Sequence, residues 1–206
     1  MNTIPEPPAS LLATAADGDN RALNTIITDI SRPVYRFCLS MLADAALAED
    51  AAQDTLVKIC SELESFEGRS KFSTWVYRIA SNRCIDLLRR RKTRSEDSLD
   101  ALAEARGGEN ALPSGSGEAE TSRLADKLLV EAAMAKLEPQ QRSLLALREV
   151  SGLSYDEIAE ILAIPSGTVK SRIFRAREEL LLVLRGLMPE EEKAHGTFDG
   201  AAASNG

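Results

Sequence analysis

The sequence is poor in the residues on which most enzymes and metal proteins depend. Its 206 residues hold one histidine, three cysteines and few aromatics: five Phe, three Tyr and one Trp. His195 stands in a Gly- and Ala-rich tail, which argues against imidazole acid–base catalysis and against histidine metal ligation. Cys38, Cys60 and Cys84 are odd in number, 22 and 24 residues apart, and form no Cys-x-x-Cys pair. Neither a disulfide framework nor a thiolate metal site fits that spacing, so all three are expected as buried thiols. A nucleophile-elbow Gly-x-Ser-x-Gly and a phosphate loop are both missing, which leaves a hydrolase without its parts. There is no run of eighteen apolar residues, and Met1 to Ser10 has three prolines and no basic residue. That start lacks the charged and apolar regions of a secretory signal, so a cytoplasmic protein without membrane contact is expected. No cofactor or metal is called for.

What is present is helical periodicity on a chain that is 44% apolar, enough to bury a core in one domain or two small ones. Residues 1–9, with Pro5, Pro7 and Pro8, read as a disordered start, and Ser10 is placed to cap a short helix ending near Asp17-Gly18-Asp19. Leu23, Ile26, Ile27 and Ile30 then repeat at helical spacing. Ser31-Arg32-Pro33 predicts a break, with Pro33 in the first turn of a helix running from Val34 to Leu42. From Ala45 to Leu63 an apolar stripe (Ala48, Ala52, Leu56, Ile59, Leu63) opposes an acidic face of Glu49, Asp50, Gln53 and Asp54.

Phe66 to Lys71 reads as a loop, followed by a long helix from Phe72 to about Arg91. One side of that helix is apolar: Phe72, Trp75, Val76, Ile79, Ala80, Cys84 and Leu88. Arg78, Asn82, Asp86 and Arg89 fall on another, and Arg89 to Lys92 with Arg94 place cations at the helix C-terminus. Residues 95–121 are acidic and Gly/Ser-rich, too long for an ordinary connection inside one compact domain, and predict a flexible linker between two. A second helical set spans 122–187, and residues 188–206 read as a disordered tail. The expected fold is all-α, two small helical domains on a flexible linker.

The sharpest local signal is at Ser154 to Leu180. Ser154-Tyr155-Asp156-Glu157 is a capping box, followed by an apolar face of Ile158, Ile161 and Leu162. Ala163-Ile164-Pro165 makes a tight turn, Ser166 is placed to cap a second helix, and Val169, Ile173, Ala176 and Leu180 point inward. That is the spacing of a helix-turn-helix, whose second helix enters a major groove. Thr168, Lys170, Ser171, Arg172, Phe174, Arg175 and Arg177 fall on its outer side. Arginine suits guanine O6 and N7, the helix start favours a phosphate, and an exposed Phe174 fits a thymine methyl.

Three blocks in order resemble the sigma factors of bacterial RNA polymerase, in their extracytoplasmic-function group of the sigma-70 family. They are Ala48 to Thr55, Phe66 to Arg83, and Leu137 to Arg142 continuing through Leu153–Ala159 to Gly167–Arg172. The resemblance covers roughly residues 10 to 187. It implies a sigma region 2 domain over 10–94, for polymerase docking and −10 recognition and melting, and a sigma region 4 domain over 122–187 for −35 recognition. On this resemblance the helix Lys170 to Arg177 reads the −35 element. The −10 element falls to Phe66, Gly68, Arg69, Ser70, Lys71, Tyr77, Arg78, Asn82, Arg83, Asp86, Arg89 and Arg90, with a flipped base held at the loop. Phe72 and Trp75 share the apolar stripe and are expected in the core, whereas Tyr77 and Phe66 remain candidates for contact. Glu49, Asp50, Gln53 and Asp54 are implied to dock on the clamp helices of the polymerase largest subunit. Region 4 would meet the polymerase flap. The partners implied are core RNA polymerase, promoter DNA and an anti-sigma factor.

A rival reading is a helix-turn-helix regulator that binds operators alone. Charge bears on the choice. The net charge is −7, but residues 66–94 hold nine basic and two acidic side chains, and residues 170–177 hold four basic and none acidic, leaving the remainder at −18. Counterion release can drive each basic segment onto phosphates, whereas the acidic remainder opposes unassisted DNA binding and suits a basic protein partner.

Overall fold

Two aspartates open the first long helices of the chain. In the computed structural model, which describes residues 3–97 and 118–188, Asp19 accepts from the Arg21 and Ala22 amides at 2.8 Å, and Asp44 accepts from the Leu47 amide at 3.1 Å. After the short α1 (Ala9–Ala16) come α2 (Asn20–Leu42) and α3 (Ala45–Glu62), joined at Ala43, whose φ of 51° lies in the left-handed region. A 3-10 turn (Leu63–Ser65) and the loop 66–71 lead into α4 (Phe72–Asp97). The second set is α5 (Glu118–Lys136), α6 (Pro139–Leu145), a π-helical turn (Ala146–Val150), α7 (Tyr155–Leu162) and α8 (Ser166–Leu187). No strand occurs among the described residues.

The break predicted at Ser31-Arg32-Pro33 does not form: α2 runs straight through Pro33. An interior proline costs roughly 3 kcal/mol. Ile26, Ile30, Val34, Phe37, Cys38 and Met41 are all buried on the same face of α2, and each large apolar side chain returns roughly 1.5–3 kcal/mol. Burial outweighs the lost hydrogen bond, and Ser31 Oγ donates to the Ile27 carbonyl beside the gap.

α4 reaches Asp97, beyond the predicted Arg91, and α5 begins at Glu118, ahead of the predicted 122. Most of the expected linker, 98–117, and the tail beyond 188 with His195 lie outside the described residues. Cys38 and Cys84 are buried as expected, but Cys60 is exposed, because one further residue along α3 turns it off the buried face that holds Ile59. The predicted disordered start is also corrected from Thr3 onward. Ile4 is 2% exposed and belongs to the core, which the helical-period reading of a proline-rich stretch had no means to detect.

The two helical sets share one continuous buried cluster. At their junction Ser81 Oγ and Ser143 Oγ are 2.8 Å apart, both buried. The Arg142 guanidinium reaches across the same seam. It donates to the Met41 carbonyl at 2.7 Å, the Ala135 carbonyl at 2.5 Å and the Leu137 carbonyl at 3.0 Å. Burial lowers its pKa from the usual arginine value. Three carbonyls near the C-termini of α2 and α5 supply the negative potential that a buried cation needs.

Candidate nucleic-acid interface

The helix-turn-helix forms as its sequence dictates. Glu157 N donates to Ser154 Oγ at 3.3 Å, and Ser154 N donates back to Glu157 Oε2 at 2.8 Å, closing the capping box of α7. Ala163 takes a φ of 52° and turns the chain into α8. One detail differs from the sequence reading. Ser166 is already helical and makes no cap; Pro165 precedes the helix, and its carbonyl accepts from the Thr168 amide at 2.9 Å. A proline suffices there because Ser166 and Gly167 are exposed, so that water or a phosphate can reach their amides.

Val169, Ile173 and Ala176 are buried beneath α8, while Lys170, Ser171, Arg172, Phe174, Arg175 and Arg177 are exposed and Thr168 is half-buried. Phe174 is 62% exposed amid those cations. Ser171 Oγ donates to the Thr168 carbonyl at 3.0 Å, and Arg177 Nε donates to Glu149 Oε1 at 3.1 Å. The residues that periodicity puts on the outer side of α8 are therefore exposed together, with Arg177 partly engaged at the edge.

The second basic region is divided. Asn82, Asp86, Arg89 and Arg90 lie exposed along one side of α4. Gly68 and Arg69 are exposed in the preceding loop, with Gly68 at φ 68°, and Ser70 is half-buried. Tyr77 does not belong with them. It is 0% exposed and packs edge-on against Phe37 with ring centroids 5.4 Å apart, so it is a core residue and not a DNA contact. Positions 76 and 77 are both inward because α4 is covered on two sides. Phe66 joins Phe72 and Trp75 in a ring cluster, at centroid distances of 5.8 and 5.0 Å. Phe72 is buried and Trp75 half-buried, in keeping with the packing expected of both.

α7 lies on the start of α4. Lys71 Nζ donates to Glu157 Oε1 at 2.7 Å, and Arg78 Nη2 donates to the Glu160 carbonyl at 3.2 Å and to Glu160 Oε1 at 3.3 Å. The Lys71 hydrogen bond is the largest cause that holds the Glu157 carboxyl down at about 2, and the same contact raises the Lys71 pKa. Two cations of the predicted strand-reading surface are thus neutralised by the first helix of the helix-turn-helix. Sequence periodicity had no access to this contact, which joins positions about 85 residues apart.

On α3, Glu49, Asp50, Gln53 and Asp54 are exposed together, as their spacing predicts. Arg83, half-buried on α4, forms an ion pair with Asp54 and so ties the acidic face to the basic one. Val57 completes the face at the next turn and is 68% exposed. The sequence reading missed it, although its position seven residues after Asp50 on the helix was a usable signal.

Comparisons with known proteins bear on the family and the fold. Residues 26–94 match the family described as Sigma-70 region 2, and residues 127–180 match Sigma-70, region 4. RNA polymerase sigma-H factor of Pseudomonas aeruginosa is 36% identical over 178 residues, which cover 84% of this chain and 91% of that protein. ECF RNA polymerase sigma factor SigW of Bacillus subtilis is 36% identical over 179 residues, covering 82% and 92%. Among solved structures, the sigma factor RpoE of Bartonella quintana, in complex with the anti-sigma factor NepR, has a TM-score of 0.63 at 27% identity. That match covers 82% of this chain and 99% of RpoE. CnrH, solved with the cytosolic domain of CnrY, shares the fold at a TM-score of 0.63 and 24% identity, covering 87% and 97%.

Proposed function

Because the chain belongs to the sigma-70 family, in its extracytoplasmic-function group, and directs promoter-specific transcription with core RNA polymerase, we propose a division of labour among its residues. Residues 10–94 act as region 2 and 122–187 as region 4. Lys170, Ser171, Arg172, Phe174 and Arg175 read the −35 duplex, with Thr168 and Arg177 at the margin. Arg175 and Lys170 suit base edges or phosphates, and Phe174 suits a thymine methyl. The observation that carries this assignment is a basic, exposed α8 face set on a buried Val169, Ile173 and Ala176.

The −10 element falls to the loop 66–71 and to Arg78, Asn82, Arg83, Asp86, Arg89 and Arg90. Extruding a base costs roughly a few kcal/mol, which a loop pocket and a row of cations would offset. Asp86 accepts from a base amino group, and Arg89 and Arg90 balance its charge toward phosphates. Glu49, Asp50, Gln53, Asp54 and Val57 dock on core polymerase, an exposed valine among acids being better suited to a protein than to solvent. We read no catalytic activity in the chain, in keeping with relatives that are sigma factors. It acts in the cytoplasm, and no helix among the described residues is long and apolar enough to cross a membrane.

An anti-sigma factor completes the reading. The Bartonella relative was solved bound to one, and this chain has a groove of about 860 Å³ lined by Tyr35 and Leu39 of α2, Val130 and Met134 of α5, and Leu180 of α8. The test of the whole assignment is reconstitution. Core polymerase with this chain is expected to yield promoter-specific transcripts from a genomic library, and neither component alone is. Autonomous operator binding, with no transcript from any promoter, would return the chain to the class of independent regulators.

A further inference from the structure

The start of the chain is held in place by both halves of the molecule. Glu6 takes the amide of Phe72 on Oε2 and the amide of Ser73 on Oε1, each at 3.0 Å, so its carboxylate caps the N-terminus of α4. Two residues earlier Ile4 is buried, with its backbone and the Ser151 side chain facing the Tyr77 hydroxyl. Thr3 Oγ1 donates to the Ser151 carbonyl at 3.4 Å. Ser151 lies in the turn that leads into α7. One short segment thus grips α4 through Glu6 and Ile4 and the α7 approach through Thr3.

Its chemistry suits a detachable tie better than a permanent part of the core. Pro5, Pro7 and Pro8 restrict the free segment, so it loses little entropy on docking. Only Ile4 is deeply buried; Thr3, Pro5, Glu6 and Pro8 stay exposed. The amides that Glu6 occupies are an anion site at the end of a 26-residue helix, directly after the loop assigned above to the melted strand. The Glu6 charge also bears on Lys71. On the same side α7 presents Glu157 to Lys71 and Glu160 to Arg78. Acidic groups from two distant segments therefore converge on the cations assigned to DNA.

We propose that residues 3–8 are an autoinhibitory strap: Glu6 on the α4 amides, Ile4 beside Tyr77 of α4 and Thr3 on the Ser151 turn hold α7 over the strand-reading surface, and promoter engagement requires their release. This rests on the assignment of loop 66–71 and α4 to the −10 element. In the closed form Lys71 and Arg78 are spent on Glu157 and Glu160. When the strap leaves, the Phe72 and Ser73 amides and both cations become available together.

Carbodiimide coupling reads the closed form directly, since it joins Lys71 to Glu157 only where the two are in contact. With the full-length chain, mass spectrometry is expected to recover the Lys71–Glu157 cross-linked peptide. Ile4→Ser and, separately, Glu6→Gln are expected to lower its yield at least threefold with circular dichroism unchanged. In transcription with limiting core polymerase, the same variants are expected to reach half-maximal output at a chain concentration at least threefold lower. A cross-link yield that both folded variants leave unchanged overturns the strap, and so does a lowered yield with no gain in transcription. The cross-link judges the strap whatever the strand assignment, and permanganate reactivity at the −10 element in an Asn82→Ala holoenzyme judges that assignment whatever the strap.

Discussion

Lys71 Nζ donates to Glu157 Oε1 at 2.7 Å, while the other oxygen of the same carboxylate, Oε2, accepts from the backbone amide of Ser154. Glu157 thus holds the start of α7 and the contact between the two helical sets with one charge. Its folded-state pKa, about 2, lies below the ordinary 4.5, so protonation favours the unfolded or open chain. The stabilisation is full above pH 4.5 and is lost as pH falls through about 2. Urea unfolding of the parent and of Glu157→Gln is expected to show the parent more stable at pH 6. That gap should close between pH 4.5 and 2, and a gap constant with pH would refute the linkage.

Arg142 is expected to be the most damaging single site at the seam. Arg142→Ala strands the carbonyls of Met41, Ala135 and Leu137, at a cost of about 2–4 kcal/mol. Arg142→Lys should rescue little, because an ammonium cannot span three acceptors in the plane of a guanidinium. Denaturation midpoints of the two variants check both statements.

For the −35 element, Arg175→Ala should reduce discrimination between the correct promoter and a mutated one by about 1–3 kcal/mol if the contact is to a base. Arg177→Ala should do less, because Arg177 is already bridged to Glu149 in an exposed pair worth about 0–1 kcal/mol. Competitive binding of holoenzyme to promoter variants separates them. An equal loss on every sequence would reassign Arg175 to phosphate.

Asn82→Ala should impair strand opening more than closed binding, since Asn82 is exposed on α4 beside Asp86 and far from α8 in sequence. Permanganate reactivity of −10 thymines is the measurement. An unchanged footprint removes Asn82 from the strand-reading set.

On α3, Asp54→Lys and Val57→Asp should each weaken binding to core polymerase in the absence of DNA, by five- to thirtyfold or about 1–2 kcal/mol. Titration of labelled chain with core enzyme measures it. Affinities equal to the parent would return this face to solvent.

Local rules made much of this structure legible. The capping box at Ser154 and Glu157, the apolar triplet Val169, Ile173 and Ala176, and the acidic spacing of Glu49 to Asp54 all depend on residues within two or three turns. The hidden parts are those whose partners are far away in sequence. Ile4 sits alone among prolines and shows no period, yet it is buried in the common core, beside a Thr3 that bonds Ser151 148 residues away. Tyr77 stays a candidate contact in the sequence because it lies off the apolar stripe of Phe72, Trp75, Val76 and Ile79, and Phe37 of another helix decides otherwise. Pro33 predicted a break from one residue's chemistry, and the summed burial along α2 overrode it.

The three thiols differ in a way that has a practical outcome. Cys38 and Cys84 are buried out of a reagent's reach, and hydrogen bonding to Cys38 together with burial pushes the Cys84 thiol up. Cys60 is exposed, and on α3 it follows Gln53 and Val57 at the spacing that keeps residues on one face. A maleimide dye added to the unmodified folded chain should therefore attach at one place. Its fluorescence would report occupancy of that face in real time, with no cysteine introduced or removed.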